Sequence, residues 1–269
     1  MQVSVIIPTY NRYSLLKRAI LSLDAQTLKV DEIIVVDDGS TDNTSQIQKD
    51  FPHIKYIYQK NKGVSSARNK GIKSVSNDWI AFLDSDDEWH EDKLKIQTEF
   101  YKSNPELLVS YTDELWIRGN KEVKVPKKFQ KIGQDAFLEN LHYCNIAPSS
   151  VMMHKKVFYD VGMFDESLEV CEDYDLWLRI ALKYKISLIP QKLIVKHAGH
   201  DDQLGFKYWG MDRFRVKALE KLLDADTQKS AIIKDILVQK YTLLLKGAKK
   251  HDKIQDVYKY TKKIKEIQK

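Results

Sequence analysis

Short apolar runs alternate with amphipathic stretches along the first third of this chain. Val3–Ile7 has the length and composition of a strand, Pro8-Thr9-Tyr10-Asn11 breaks it as a turn, and Leu15, Leu16, Ala19, Ile20 and Leu23 then recur at helical spacing. Glu32–Val36 repeats the strand pattern, with Ser40, Thr41 and Asp42 as N-cap candidates just behind it. His53–Tyr58 predicts a third strand, Gly63–Val75 a helix through Val64, Ala67, Gly71 and Val75, and Trp79–Leu83 a fourth strand. Such alternation predicts an α/β fold whose central sheet is mostly parallel, with helices on both faces.

After an amphipathic helix over Asp92–Ser103 the rhythm changes. Leu107–Ile117 reads as a longer strand, Gly119–Lys128 as a charged hairpin or loop, Gln134–Leu141 as helix, and Ser149–Met153 as strand. Cys171–Tyr184 has strong helical spacing, and two short apolar runs, Ile186–Ile189 and Leu193–Val195, follow it. From about Gly205 turn signals become scarce and helical patterns long, ending in the lysine-rich stretch Lys246–Lys269. The expected organisation is a catalytic domain over 1–204, in halves of about 1–105 and 106–204, and a helical extension over 205–269. Trp177 and Trp209 are expected in the core, and Cys171 as a small buried residue.

Chemistry enters at the strand ends. Ile80-Ala81-Phe82-Leu83 runs straight into Asp84-Ser85-Asp86-Asp87, and burying that much charge is costly unless cations offset it. The carboxyl end of a strand in an open α/β sheet is where ligands bind. Carboxylates at this spacing suit Mg²⁺ or Mn²⁺, which also take phosphate oxygens, so Asp84 and Asp86 are candidates for a metal–diphosphate site; an acidic loop capping the next helix would share the spacing. Asp37 and Asp38 end the second strand on the same rim, where a base or ribose could bond to them, and Tyr10 could stack on a base. Neither GxxxxGK[ST] nor GxGxxG occurs, which argues against a P-loop ATPase and a dinucleotide oxidoreductase and leaves phosphate charge to a metal and to Arg68 or Lys62.

Composition narrows the classes further. A chain of 269 residues that is 43% hydrophobic and 10% aromatic is a packed globular protein. The net charge of +6 is spread over both signs, and no nucleic-acid partner is expected. No apolar run reaches the roughly 20 residues of a membrane span, and the start of the chain does not read as a signal peptide. Cys144 and Cys171 lack disulfide-framework or zinc-site spacing, so a cytoplasmic protein is expected.

Several stretches together resemble family 2 glycosyltransferases of the GT-A fold: Val-Ser-Val-Ile-Ile-Pro-Thr-Tyr-Asn-Arg (3–12), Ile-Ile-Val-Val-Asp-Asp-Gly-Ser-Thr-Asp (33–42), Ala-Arg-Asn-Lys-Gly-Ile (67–72) and Phe-Leu-Asp-Ser-Asp-Asp (82–87). Gly-Met-Phe-Asp-Glu (162–166) and Glu-Asp-Tyr-Asp-Leu-Trp-Leu-Arg (172–179) follow in the family's order, so the resemblance covers roughly 3–200. It implies a GT-A-like domain that moves a sugar, with inversion, from a UDP-, GDP- or dTDP-sugar to a hydroxyl of a glycan or lipid-linked acceptor. Bacterial surface-polysaccharide or lipid-linked oligosaccharide assembly is the setting it suggests. On this chain, Asp84-Ser85-Asp86 resembles the metal-binding DxD motif, Asp38 the residue that bonds the base, and Pro8, Thr9, Tyr10 and Asn11 the nucleotide pocket. Asp173, beside Glu172, resembles the general base, and His197 or His200 resembles a histidine that some relatives place near the metal or diphosphate. The loop 196–203 could order over a bound donor.

Two other readings stand beside this one. A sugar-1-phosphate nucleotidyltransferase would carry a glycine-rich basic loop where this chain has Pro8-Thr9-Tyr10-Asn11-Arg12, and a non-catalytic nucleotide-sugar or glycan-binding protein would not need Asp173. The lysines of the C-terminal stretch suit either peripheral contact with anionic lipid at the inner face of a membrane or a solvated helix face packed on the catalytic domain or on a second subunit.

Overall fold

A computed structural model describes residues 1–119, 121–197, 199, 208–224 and 228–269. The N-terminal half is the alternation read from the sequence. Strands β1 (Val3–Thr9), β2 (Glu32–Asp37), β3 (Lys55–Tyr58) and β4 (Trp79–Phe82) pair in parallel in the order β3-β2-β1-β4. Helices α1 (Tyr13–Asp24), the short α2 (Ile47–Asp50) and α3 (Val64–Ile72) connect them. Every residue of β1 is buried, because helices cover both faces of the sheet; hence its run of apolar residues without alternation. Gly71 of α3 lies so close to β1 that an added Cβ would sit 2.4 Å from Ile6 Cγ2, so this helix can seat only on a glycine.

Beyond β4 the sheet becomes mixed. Strand β8 (Met152–His154) runs antiparallel to β4, β6 (Val109–Arg118) antiparallel to β8, and β9 (Ile186–His197) parallel to β6. The two apolar runs around Pro190 are one strand: the register between β6 and β9 shifts at Thr112/Asp113 and Asp113/Glu114, and this bulge absorbs the interruption. Strand β5 (Asp87–Trp89), which periodicity does not predict, adds antiparallel to β9, while β7 (Lys121–Val123) closes a hairpin with β6 within the charged 119–128 stretch. Helices α4 (Lys93–Ser103), α5 (Ala136–Asn140), α6 (Lys156–Val161) and α7 (Glu172–Lys183) complete this region; α6 has no counterpart in the sequence reading.

The C-terminal helices are α8 (Asp212–Asp224), α9 (Ser230–Lys250) and α10 (Ile254–Ile267). The lysine-rich stretch is therefore two helices, broken where Asp252 adopts φ 51°. Their apolar faces bury Phe214, Leu219, Ile233, Leu237, Tyr241 and Tyr260 in one cluster with Phe137 of α5, Leu141 just after it, and Tyr174 and Leu178 of α7. One face of the lysine-rich stretch thus packs on the rest of the chain, while Ile254 and Tyr258 face outward. Trp177 is buried, and its indole donates to the Ile146 carbonyl at 2.9 Å. Trp209 is not in the core: it is 57% exposed, held between the Arg213 guanidinium at 3.7 Å and the Lys253 ammonium at 3.9 Å. Two cations over one indole let it remain at the surface.

Candidate active site

The ends of β1 and β2 are tied together by their own loops. The Asp38 amide donates to the Thr9 carbonyl at 2.9 Å, and Asn11, at φ 52°, donates its amide to Ser40 Oγ and accepts at Oδ1 from the Thr41 amide at 2.7 Å. A non-glycine residue in the left-handed region persists only where its surroundings hold it there. Pro8 and Thr9 end β1, Tyr10 is 47% exposed at the mouth of this cleft, and Thr9 Oγ1 is buried without a hydrogen-bond partner among the described residues. Asp37 accepts from the Ser40 amide and from Tyr56 Oη. Both Asp38 oxygens are taken up by the next loop: Gln59 Nε2 at 2.7 Å, the Lys62 amide at 2.9 Å and the Gly63 amide at 2.8 Å. Asp38 therefore shapes the 59–63 loop in this structure. Asp42 caps the following turn by accepting from the Thr44 amide, as its N-cap reading requires.

Arg68, carried on α3, joins the two halves of the site. Its guanidinium is 4% exposed, bonded to Asp84 Oδ1 at 2.7 Å and to Glu172 Oε1 at 2.6 Å, and lies 5.2 Å from the Phe164 ring centroid. Burial pulls the guanidinium down, yet the two carboxylates hold it above its ordinary value. Burial and the neighbouring Asp173 push the Glu172 carboxyl up to about 7 against the pull of Arg68. The arginine expected near phosphate thus bridges the acidic end of β4 to the start of α7.

Around Asp84 the carboxylates form a compact group. The Asp84 amide donates to Ser149 Oγ at 3.0 Å, and Ser149 Oγ bonds to Asp87 Oδ2 at 2.6 Å. Ser85 is buried. Asp86 meets Arg12 at 3.3 Å through its side chain and Arg18 at 2.7 Å through its carbonyl. Burial pushes the Asp87 carboxyl well up; Lys196 opposes this, while Asp86 and Asp84 add to it. Lys196, on β9, is the cation at the centre. Burial lowers its ammonium, but Glu114, Asp87, Asp84 and Asp173 together hold it above its ordinary value. In the β5–β9 pairing Asp87 stands opposite Lys196. His197 Nε2 lies 2.5 Å from Glu88 Oε1. His200 and most of the loop 198–203 lie outside the described residues.

Asp84 and Asp86 offer hard carboxylate oxygens of the chemistry a divalent cation takes. Among the described residues no three acidic, histidine or cysteine side chains already form a metal cage, but Mg²⁺ and Mn²⁺ bind commonly through one or two carboxylates with phosphate oxygens completing the shell.

Asp173 occupies the first turn of α7, where a carboxylate is favoured by the helix dipole. Its Oδ1 accepts from the Tyr174 amide at 2.7 Å and its Oδ2 from Cys144 Sγ at 3.4 Å. Cys171, just ahead of it, is buried and held at φ 64°, so the entry to α7 is strained beside the carboxylate. Burial foremost pushes the Cys171 thiol up to about 12; it is the small buried residue expected.

With this geometry in place, the chain can be set against known proteins. The sequence model described as glycosyl transferase family 2 matches residues 4–162. The chain belongs to glycosyl transferase family 2. This family 2 chain is 37% identical over 197 residues to an uncharacterized glycosyltransferase of Rickettsia conorii, matching 71% of its own length and about a third (32%) of that relative's. A second relative, from Escherichia coli, is named a UDP-Glc:alpha-D-GlcNAc-diphosphoundecaprenol beta-1,3-glucosyltransferase; identity is 34% over 186 residues, covering 67% of this chain and 70% of the relative. Among solved structures, S. aureus TarS 1-349 in complex with UDP-GlcNAc superposes with a TM-score of 0.74, covering 89% of this chain and 71% of that one at 23% identity, a likeness of fold. The fold is the α/β, GT-A-like one the motifs imply, with helices at its C-terminal end.

Two residues of this family 2 site escaped the sequence reading. Lys196 carries a signal that could have been found: it is a lysine two positions after the buried Ile194, on the same strand face. Glu114, buried on the neighbouring β6, is foremost among the acids that keep Lys196 charged.

Proposed function

We propose that this family 2 chain transfers a sugar from a nucleoside-diphosphate donor to an acceptor hydroxyl, with inversion, during assembly of a bacterial surface or lipid-linked glycan. The observation that carries this reading is the Arg68 bridge: acids from the end of β4 and from the start of α7 meet on one guanidinium, so donor-side and acceptor-side groups share a single rim. The glucosyltransferase name of the E. coli relative supports a lipid-diphosphate acceptor, and the UDP-GlcNAc bound to TarS supports a uridine donor. No helix among the described residues is long and apolar enough to cross a membrane; peripheral contact with a lipid-linked acceptor at the cytoplasmic face is part of this proposal.

In the proposed reaction the acceptor hydroxyl loses its proton to an oxygen of Asp173, and its oxygen bonds to the anomeric carbon from the face opposite the leaving group. The bond from that carbon to the diphosphate oxygen breaks, and the electron pair leaves with the nucleoside diphosphate. Asp84, Asp86 and His197 would hold a divalent cation, which when bound offsets charge on the leaving diphosphate. Arg68 fixes Glu172, and so the first turn of α7 that bears Asp173, relative to Asp84. Lys196 places a positive charge between the acids and the departing phosphates.

Asp173→Asn tests the assignment. Transfer from a UDP-sugar should fall by about 10²- to 10⁴-fold, with nucleotide binding by calorimetry retained. Wild-type turnover in the variant would remove Asp173 as the base.

A further inference from the structure

One side of α10 packs on the fold and the other is bare. Tyr260 belongs to the cluster shared with α5 and α7, and Val257, Ile264 and Ile267 pack against it. Ile254 and Tyr258 stand one helical turn apart on the opposite side, 82% and 72% exposed. Lys262 and Lys265, both exposed, follow on that same side. The ammonium of Lys253, the residue ahead of Ile254, lies 3.9 Å from the Trp209 ring centroid, which brings a third exposed apolar side chain beside the start of α10. Exposed apolar side chains scattered singly need no explanation, but a group of them rimmed by charge marks a contact.

The rim is of one sign. Nine lysines and three acids fall within 246–269, and their difference equals the +6 of the whole chain, so the remainder of the protein is balanced. Of those acids, Glu266 lies 3.8 Å from Lys262. Among the described residues no carboxylate pairs with Lys246, Lys249, Lys250, Lys259, Lys265 or Lys269. The excess charge of the protein is thus displayed at one end of the molecule, around Ile254 and Tyr258.

Three kinds of partner could take a basic face. Nucleic acid is gripped best by arginine forks, and this segment has no arginine; it would also leave the Ile254 side chain nothing to pack on. A second copy pairing through the same face about a two-fold axis would set these lysines against one another. A bilayer with anionic head groups meets both features at once. Lysine stems lie along its apolar boundary with their ammonium groups among the phosphates, an aliphatic side chain enters the acyl region, and Trp and Tyr rings rest at head-group level.

We propose that the outer face of α10, with Ile254, Tyr258 and the neighbouring Trp209 as apolar contacts and the lysines of 246–269 as their basic rim, docks this protein on an anionic bilayer. Neither feature suffices alone: a few apolar side chains bind a membrane marginally, and a polybasic patch beside them makes the contact stable. The proposal deepens the reading of a lipid-linked acceptor and rests on it for its purpose, but its test contains neither donor nor acceptor.

Co-sedimentation of the full chain with vesicles decides it. Vesicles of equal parts phosphatidylglycerol and phosphatidylcholine should bind the wild type at least tenfold more strongly than phosphatidylcholine alone, and about 1 M sodium chloride should abolish most of that preference. Lys259→Gln combined with Lys265→Gln should weaken binding to the anionic vesicles about 25-fold, near fivefold for each lysine. Ile254→Ser combined with Tyr258→Ser should weaken it about tenfold with melting temperature unchanged. Emission from Trp209, taken as the difference between wild type and Trp209→Phe, should move to shorter wavelength on the anionic vesicles. The proposal is overturned if the two kinds of vesicle bind alike, if either pair of substitutions leaves binding unchanged, if the Trp209 emission does not move, or if a DNA duplex binds more tightly than the anionic vesicles. A dimer in solution that the Ile254 and Tyr258 pair dissolves would assign the face to a second copy and overturn it equally. Vesicle binding with no transfer from any UDP-, GDP- or dTDP-sugar would leave the surface standing and the transfer reading refuted; transfer to a soluble acceptor without vesicle binding would do the reverse.

Discussion

Removing Arg68 tests whether the carboxylates of the site are held together by charge. In Arg68→Met the aliphatic stem is kept and the guanidinium lost, leaving Glu172, 5% exposed, and Asp84, more open to solvent, without their shared cation. Breaking a buried ion pair by removing one partner costs about 3–5 kcal/mol. Because Asp84 can be screened by water, the lower end applies, about 3 kcal/mol at neutral pH, or a drop in melting temperature of roughly 6–12 °C for a chain of this size. The deficit should also depend on pH in a definite direction. A carboxyl whose folded value is raised, as that of Glu172 is to about 7, stabilises the fold fully below its unfolded value of 4.5 and loses that contribution as pH rises through 7. Without Arg68 nothing opposes burial and Asp173, so the folded value rises further and the loss continues to higher pH. The gap between wild type and variant should therefore be small near pH 5 and widen above pH 7. Thermal melts by circular dichroism at pH 5, 7 and 8.5 measure it. A gap that is the same at all three values, or no destabilisation at all, would refute the bridge as an electrostatic clamp.

Two further outcomes follow from the same contacts. Asp86→Ala should weaken nucleotide binding, by calorimetry, in Mg²⁺ or Mn²⁺ and change it little in chelator; an equal effect under both conditions speaks against Asp86 as a ligand. Lys221 of α8 reaches Asp165 Oδ2 at 2.5 Å and the fully buried Asp175 Oδ1 at 2.6 Å, so Lys221→Met should cost about 1–2 kcal/mol, Arg179 still holding Asp175. Burial would raise Asp165, but Lys221 and Ser167 bring it down to about 2; stability from a lowered carboxylate is present above its unfolded value of 3.8 and lost as pH falls, so the gap between variant and wild type should narrow between about pH 4 and 2, and a constant gap would argue that Lys221 acts by packing alone.

The parts of this protein that could be read from sequence are those in which one local rule decides the outcome. Strands β1, β2 and β4 sit between layers of helices, so burial on both faces is written as unbroken apolar runs, and the acids that follow can only emerge at the strand ends. Asp42 could be read as a cap because capping is settled within three residues. The rest depends on partners distant in the chain. Strand β5 is Asp87-Glu88-Trp89, polar and three residues long, and exists because β9 lies beside it. Strand β9 crosses Pro190 as one element because a bulge against β6 takes up the offset. Arg68 reads from its own segment as a candidate phosphate ligand, and nothing there announces that its two bonds reach across 16 and 104 residues to Asp84 and Glu172. Lys196 is the clearest case. In isolation it is one lysine in a strand; among Asp84, Asp87, Glu114 and Asp173 it is the charge that lets so many acids share a half-buried rim. That balance has a chemical consequence. On the proposed reading, a rim whose acids are already offset by Lys196, Arg68 and Arg12 can stand assembled before a donor arrives, so the binding energy of its diphosphate need not be spent on gathering the carboxylates and remains for holding the transition state.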